Sequence, residues 1–291
     1  MSSPILLICN PIAGGNARPA IQRAESYLRN RGYQVETALT QARGDAQRFA
    51  AQARGKNYHR IIVAGGDGTL NEVINGLAPC TTPLAFVPLG TTNVLALEIG
   101  LPRTLEQACR VALEGSPRPI SLGLAGDTRF LLMAGVGFDA QVVAGVSPRL
   151  KKLLGKGAYV AAALAQALRH RSQEVQARLP GDRILTGYGA IISNARCYGG
   201  SFQITPEACL TEESLEVFIL RTPGLASLLK LSLRMLLRRP VSPALGAIIR
   251  TRELTLSGDS VSVQLDGDFF GFLPLHFTTS FGEITLVFPS Q

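Results

Sequence analysis

The sequence predicts two domains, an α/β domain on a parallel sheet and then a β-rich, mostly antiparallel domain. Strand–turn–helix units repeat through the first ~100 residues, the pattern that builds a parallel sheet. Later runs alternate apolar with polar residues between Gly, Pro, Asp and Ser, the pattern of antiparallel strands. The expected domains are 1–120 and 121–291, with the last residues able to return to the first.

Ile5 to Cys9 is a buried-type strand ending in Asn10-Pro11-Ile12-Ala13-Gly14-Gly15, with a helix from about Arg18 to Arg31. Gln34 to Leu39 is a second strand, followed by Thr40 and a helix containing Asp45 to Ala53. The third unit, Arg60 to Val73, reads RIIVAGGDGTLNEV: a strand, a turn through Gly65-Gly66-Asp67-Gly68-Thr69, and a helix from Leu70 to Leu77. Leu84 to Leu89 then turns through Gly90-Thr91-Thr92-Asn93 into a helix at Val94 to Ile99. After a helix at Leu105 to Leu113, Glu114-Gly115-Ser116-Pro117-Arg118-Pro119 reads as a linker. Ligands of parallel α/β sheets lie at the carboxyl ends of the strands. Asn10, Thr40 and the two glycine turns would gather there.

The Gly65–Thr69 turn is a phosphate site in outline. Glycines let main-chain N–H groups approach oxyanions, and a helix N-terminus adds partial positive charge. Asp67 would repel phosphates unless a cation such as Mg²⁺ stood between. The turn is neither a Walker A loop nor the dinucleotide fingerprint, since it lacks the Gly-Lys-Ser/Thr of one and the third glycine of the other. A plain glycine turn with Asp67 as an N-cap is the alternative at this level.

A net charge of +8 favours anionic partners: nucleic acid, anionic lipid or nucleotide. With no Trp and 6% aromatic residues the chain is poorly equipped to stack bases, and it holds no recognisable nucleic-acid module. Cys9, Cys80, Cys109, Cys197 and Cys209 form no C-x-x-C pair, which reads as reduced and intracellular. His59, His170 and His276 are isolated and read as surface or packing residues. With no signal peptide and no apolar span, a cytoplasmic protein is expected.

In the second half, strands are expected at Arg129 to Ala134, Glu174 to Leu179, Gly187 to Ser193, Leu215 to Leu220, Glu253 to Ser257, Val261 to Leu265 and Ile284 to Phe288. Helices are expected at Ala158 to His170 and Leu225 to Arg239. On the latter, Leu225, Leu228, Leu229 and Leu236 share one face and Lys230, Arg234 and Arg238 the other. That pattern fits a packed helix with a solvated basic face, or an interfacial helix on anionic lipid aided by the basic run Arg149 to Lys156. Asp266-Gly267 is a hairpin turn first, and Asp268 beside it is a candidate general base.

Together these pieces resemble the diacylglycerol kinase catalytic-domain family, which includes bacterial soluble lipid kinases and sphingosine kinases. That family is similar to NAD kinases and phosphofructokinases through the same GGDGT turn. Nearly the whole chain is covered, by Asn10-Pro11 with Gly14, Gly65 to Thr69 with Asn71-Glu72, and Pro88 to Asn93. Gly135 to Ala140, Gly155-Lys156 with Ala158-Tyr159, Gly199-Gly200 with Pro206, and Asp266-Gly267-Asp268 follow in order.

The resemblance implies an NAD kinase-like α/β domain, a β-rich domain and an active site in the cleft between them. It implies ATP- and Mg²⁺-dependent transfer of the γ-phosphoryl group to a lipid hydroxyl, at the periphery of an anionic membrane. ATP would be contacted by Asn10, Thr40, Gly65, Gly66, Asp67, Gly68, Thr69, Leu70, Asn71, Gly90, Thr91 and Asn93. Asp67 would manage metal and phosphate charge, and Asp268 would be the catalytic base.

Three positions depart from the family pattern. Val94 stands where many members have Asp, with Glu98 one helical turn on as an alternative carrier of charge; sphingosine kinases also lack that acid. Asp268 replaces the usual Glu. The structural Mg²⁺ turn becomes Leu210-Thr211-Glu212-Glu213-Ser214-Leu215, which places that ion on Leu210, Glu213 and Leu215 without the customary glycine. A kinase of a soluble substrate and a catalytically weak nucleotide-binding regulator are the alternative functions, and a homodimer is compatible with the sequence.

Overall fold

The computed structural model describes residues 4–137, 140 and 172–290, which form two compact units, 1–121 with 281–291 and 122–280. In the first, β1 (Ile5–Cys9), β2 (Val35–Leu39), β3 (Arg60–Gly65) and β4 (Cys80–Pro88) pair in parallel in the order β2-β1-β3-β4. Ile284 and Leu286 extend the sheet, parallel to Cys80 and Leu84. The helices are α1 (Arg18–Asn30), α2 (Asp45–Ala53), α3 (Asp67–Leu77), α4 (Val94–Glu98) and α5 (Leu105–Glu114). Successive strand residues face opposite sides. Ile5, Leu7, Ile62 and Ala85 therefore meet Ile21 and Leu28 of α1 and Cys109 and Leu113 of α5, while α2 packs against α3.

The stretch expected to be a linker instead begins β5 (Ser116–Ala125). Pro117 and Pro119 stand exposed there, where a strand can dispense with their N–H groups. The run Arg129 to Ala134 divides into β6 (Thr128–Phe130) and β7 (Met133–Val136), and the next described strand is β8 (Val175–Arg178). Gly187 to Ser193 also divides, between β9 (Ile184–Gly187) and β10 (Ala190–Ser193), because Gly189 at φ +150° redirects the chain from one sheet to another. Two-residue strands β11 (Cys197–Tyr198) and β12 (Phe202–Gln203) pair with each other. The remaining elements are β13 (Leu215–Leu220), α6 (Leu225–Leu236), β14 (Gly246–Thr251), β15 (Glu253–Ser257), β16 (Ser262–Leu265), β17 (Asp268–Phe272) and β18 (Leu275–Phe288).

Two antiparallel sheets form a sandwich in the second unit. One has the order β14-β13-β10-β7-β16-β17; in the other, β15 lies between β18 and β8, and β9 follows β8. Val136, Ile192, Val217 and Val263 of the first sheet meet Val175, Leu254, Leu256 and Phe277 of the second. The alternate residues of the first sheet, Ile191, Phe218 and Leu220, face outward and are covered by Leu228 and Leu231 of α6. This is why β13 is buried along its whole length.

The rotation of α6 differs from the expected one. Its inward residues are Ser227, Leu228 and Leu231, while Leu229 and Leu236 are exposed. The Ser227 hydroxyl lies 2.8 Å from that of Thr222 and donates to the Pro223 carbonyl at 3.1 Å. These bonds tie the first turn of α6 to the loop that follows β13. The basic run Arg149 to Lys156, the helix expected at Ala158 to His170, and Phe138 and Asp139 lie outside the described residues.

Phe130 is fully buried in the sandwich and meets Phe277 edge-on, with ring centroids 6.4 Å apart. Phe130→Ala removes most of that packing and leaves a cavity. We expect a loss of about 3–5 kcal/mol in urea denaturation, with the second unit affected first.

Candidate functional site

Main-chain bonds continue past the ends of the parallel strands and bring four loops to one edge. The Asn10 N–H donates to the Ala64 carbonyl (2.9 Å), that of Thr40 to Cys9 (2.8 Å), and those of Leu89 and Gly90 to Gly65 (2.7 and 3.1 Å). In the order β2-β1-β3-β4 the connection after β1 leads to one side, toward β2, and the connection after β3 to the other, toward β4, so the edge between β1 and β3 is a topological switch point, where doubly wound folds bind ligands. Asn10 spans it, its side-chain amide donating to Thr69 Oγ1 at 3.1 Å.

The turns after β3 and β4 touch through their main chains. A Cβ on Gly90 would lie 2.8 Å from the Gly66 Cα, and one on Gly14 would lie 2.6 Å from the Leu89 carbonyl oxygen. No side chain larger than hydrogen fits at either position. Gly66 is also the N-cap of α3 and offers no side-chain cap to the first-turn N–H groups. Gly68 and Thr91 are exposed, whereas Thr69 and Leu70 are buried.

Asp67 caps a neighbouring helix. Its Oδ2 accepts from the Val94 N–H (2.9 Å) and its Oδ1 from that of Leu95 (3.1 Å), so it caps α4 and locks the two turns together. Asn93, at φ +49°, clamps Gly90: its Oδ1 accepts from the Gly90 N–H at 3.0 Å and its Nδ2 donates to the Gly90 carbonyl at 2.8 Å. Asn71 accepts from the Asn75 amide through both its carbonyl and its Oδ1. At position 94 the loop uses the main-chain N–H, and Glu98 is buried, away from the exposed edge it would have to serve as a substitute acid.

Sequence reasoning missed Asp45. Its Oδ2 accepts from the N–H groups of Gln41 and Ala42 at 2.8 and 2.9 Å, fixing the loop after Thr40. The Arg48 hydrogen bond, followed by these two main-chain bonds, lowers the Asp45 carboxyl to about 2. An Asp after a glycine with Arg three residues on was the available signal. Cys9, at the end of β1, is not a nucleophile: burial, aided by the charge of Glu25, pushes its thiol up to about 12.

In the second unit, Asp266 and Gly267 join β16 to β17 in a two-residue hairpin, with φ +48° and +87°. Positive φ at both positions is the mark of the type I′ turn. The Asp266 carboxylate accepts the N–H groups of Leu131, Leu132 and Met133 at 2.7, 2.8 and 2.9 Å, and its own N–H donates to the Met133 carbonyl at 2.9 Å. These bonds explain the break between β6 and β7, whose intervening N–H groups turn to a side chain. Asp268 follows at the start of β17, exposed at a place fixed by the neighbouring turn. Exposed Phe269, Phe270 and Phe272 continue along that edge strand.

The turn expected to hold a structural metal has different electrostatics. Arg252 lies 3.4 Å from the Glu213 carboxylate, Glu212 is paired with Arg250, and Leu215 is in register with Thr251 of β14. In this structure both carboxylates of the turn therefore face guanidinium groups. Among the described residues no group of three His, Cys, Asp or Glu is placed to hold a metal, and no helix is long and apolar enough to cross a membrane.

Residues 4–125 match the family model described as "Diacylglycerol kinase catalytic domain" and residues 133–288 match "YegS C-terminal NAD kinase beta sandwich-like domain". The chain belongs to this family of lipid kinases. A Pseudomonas putida protein named "Probable lipid kinase YegS-like" is 39% identical over 211 residues, 70% of each chain. The "Diacylglycerol kinase" of Bacillus subtilis is 27% identical over 292 residues, 98% of this chain and 96% of its own. The fold is shared with a diacylglycerol kinase structure from Bacillus anthracis, at a TM-score of 0.76 and 19% identity, covering 98% of this chain and 97% of the other. An NAD kinase from Archaeoglobus fulgidus in complex with ATP is more distant, with a TM-score of 0.52 and 16% identity over 98% of this chain and 93% of its own.

Asp45 is depressed on folding, so its contribution to stability is present above the unfolded value of about 3.9 and lost as pH falls toward about 2. The difference in urea midpoint between the parent protein and Asp45→Asn should be largest above about pH 4 and shrink below it. Asp266→Ala leaves three N–H groups without their acceptor and should cost about 2–4 kcal/mol in the same measurement at pH 7.

Proposed function

We propose that this protein transfers the γ-phosphoryl group of ATP to the hydroxyl of a lipid, in a Mg²⁺-dependent reaction, while peripheral to an anionic membrane surface on the cytoplasmic side. The observation that carries this reading beyond family membership is the setting of Asp268. An exposed carboxylate follows a turn held by four hydrogen bonds and leads directly into an edge strand of exposed phenylalanines. A base fixed beside an apolar surface suits a hydroxyl carried on an acyl body.

In this reading the ATP phosphates rest on the first turn of α3, at Gly66, Asp67, Gly68 and Thr69, where no side chain caps the N–H groups. Gly65, Leu70 and Asn71 shape that turn, and Asn10, Thr40, Gly90, Thr91 and Asn93 border it. Asp67 is only partly buried and, with substrate phosphates, forms a donor set that fits Mg²⁺, which commonly takes one or two carboxylates. The ion, when bound, would neutralise phosphate charge. Asp67 would hold it while keeping the neighbouring turn in place through Val94 and Leu95. Asp268 would take the proton of the attacking hydroxyl. Phosphoryl transfer asks chiefly for positioning and charge neutralisation, which rigid loops supply.

The test is transfer from γ-labelled ATP to a panel of lipids in mixed micelles with Mg²⁺: diacylglycerol, phosphatidylglycerol, a sphingoid base and an isoprenoid alcohol. One lipid class should be labelled. Asp268→Ala should lower kcat by about 10²–10⁴-fold with ATP binding retained, and Asp67→Ala should abolish turnover. ATP binding without labelling of any lipid would favour the regulator or a soluble substrate. Full activity in Asp268→Ala would move the base elsewhere.

A further inference from the structure

Helix α6 is apolar on two opposite sides. One side packs Leu228 and Leu231 onto the sheet. At 3.6 residues per turn, Leu229, Leu233, Leu236 and Leu237 fall on the other side, and they are 52%, 55%, 66% and 53% exposed. A row of leucines directly opposite the packed face contributes nothing to the core of this unit. Contiguous exposed apolar surface of this kind marks a site of contact.

The charges beside the row indicate what it contacts. Lys230 and Arg234 run along one border, and Arg238 and Arg239 follow the last helical turn. Among the described residues none of these four is paired with a carboxylate. Arg234 donates to the Pro240 carbonyl at 2.9 Å, which folds the end of the basic segment back against the helix. A second copy of the chain across a two-fold axis would bring like charges together, which disfavours self-association. An apolar stripe with a basic border and no aromatic anchor matches a leaflet, whose acyl region takes leucines and whose anionic headgroups take lysine and arginine.

We propose that α6 is the membrane-docking element, lying in the interface with Leu229, Leu233, Leu236 and Leu237 inserted and its cations at headgroup level. This deepens the lipid-kinase reading by naming the surface that meets the bilayer, and it rests on that reading for its choice of a lipid partner. The helix lies in the second unit, the unit that carries Asp268 and its phenylalanines.

The experiment is vesicle flotation of the full chain, with phosphatidylcholine alone and with 30 mol% phosphatidylglycerol added. The parent protein should partition at least tenfold more strongly onto the anionic vesicles, and added salt should weaken that preference. Leu229→Ser with Leu233→Ser and Leu236→Ser should lose at least tenfold of the binding, with an unchanged melting temperature because all three side chains are exposed. Lys230→Gln with Arg238→Gln and Arg239→Gln should bind both vesicle types equally weakly. Phosphoryl transfer to a monomeric short-chain lipid should be the same in all three proteins, so its absence from the parent would count against the kinase reading and leave the docking result standing. Binding of the leucine variant at the parent's level overturns the proposal. So does parent binding without anionic preference, or a dimer in the parent that the leucine variant converts to monomer.

Discussion

The first unit depends on one carboxylate reaching across two turns. Asp67 sits at the start of α3 but spends its acceptors on the N–H groups that begin α4, tying the loop after β3 to the loop after β4. The close contact between the main chains of Gly66 and Gly90 is held by this tie together with the Leu89 and Gly90 bonds to Gly65 and the Asn93 clamp, because glycines supply no side-chain packing of their own. Asp67 thereby serves a neighbouring turn while standing in the first turn of its own helix. Two main-chain N–H groups, one on each carboxylate oxygen, hold the side chain in one orientation.

The same device recurs twice. Asp45 accepts two N–H groups of the loop after β2, and Asp266 accepts three from the segment between β6 and β7. In each case a short acidic side chain gathers donors that no strand or helix can use, so loops at the working edges become as ordered as the sheets. Asp266 and Asp268 differ along one hairpin: the carboxylate of the first fixes the turn, and the second stands exposed at the start of β17.

The parallel sheet and its loops were readable because they follow periodicity and turn chemistry. β1, α2, β13 and β15 carry the bounds expected from their apolar pattern. Breaks arose where tertiary bonds override local pattern. Arg129 to Ala134 alternates like one strand, yet Asp266, more than a hundred residues later, captures its central N–H groups. The prolines of 116–119 read as a linker because sequence does not reveal which strand N–H groups are left without a ladder. In α6 leucines occur on both sides of the helix, so their spacing did not reveal that Leu228 and Leu231 would be the ones to pack on the sheet. The residues gathered at the edge of the first sheet were legible as a set. The partner of each carboxylate was not, since a hydrogen bond between distant loops leaves no trace in spacing.

Ile284 and Leu286 pair with the outer edge of β4, although β1 to β4 all lie before residue 90. During synthesis the outer edge of β4 therefore waits unpaired while about 195 further residues are added, roughly 10–40 s at 5–20 residues per second. An open parallel edge is a template for wrong partners. The second unit, being continuous in sequence, is complete before the first one is. The nascent chain must therefore carry an unfinished first unit through most of translation, which makes the ribosome-bound state, rather than the finished protein, the point at which this architecture is most exposed to aggregation.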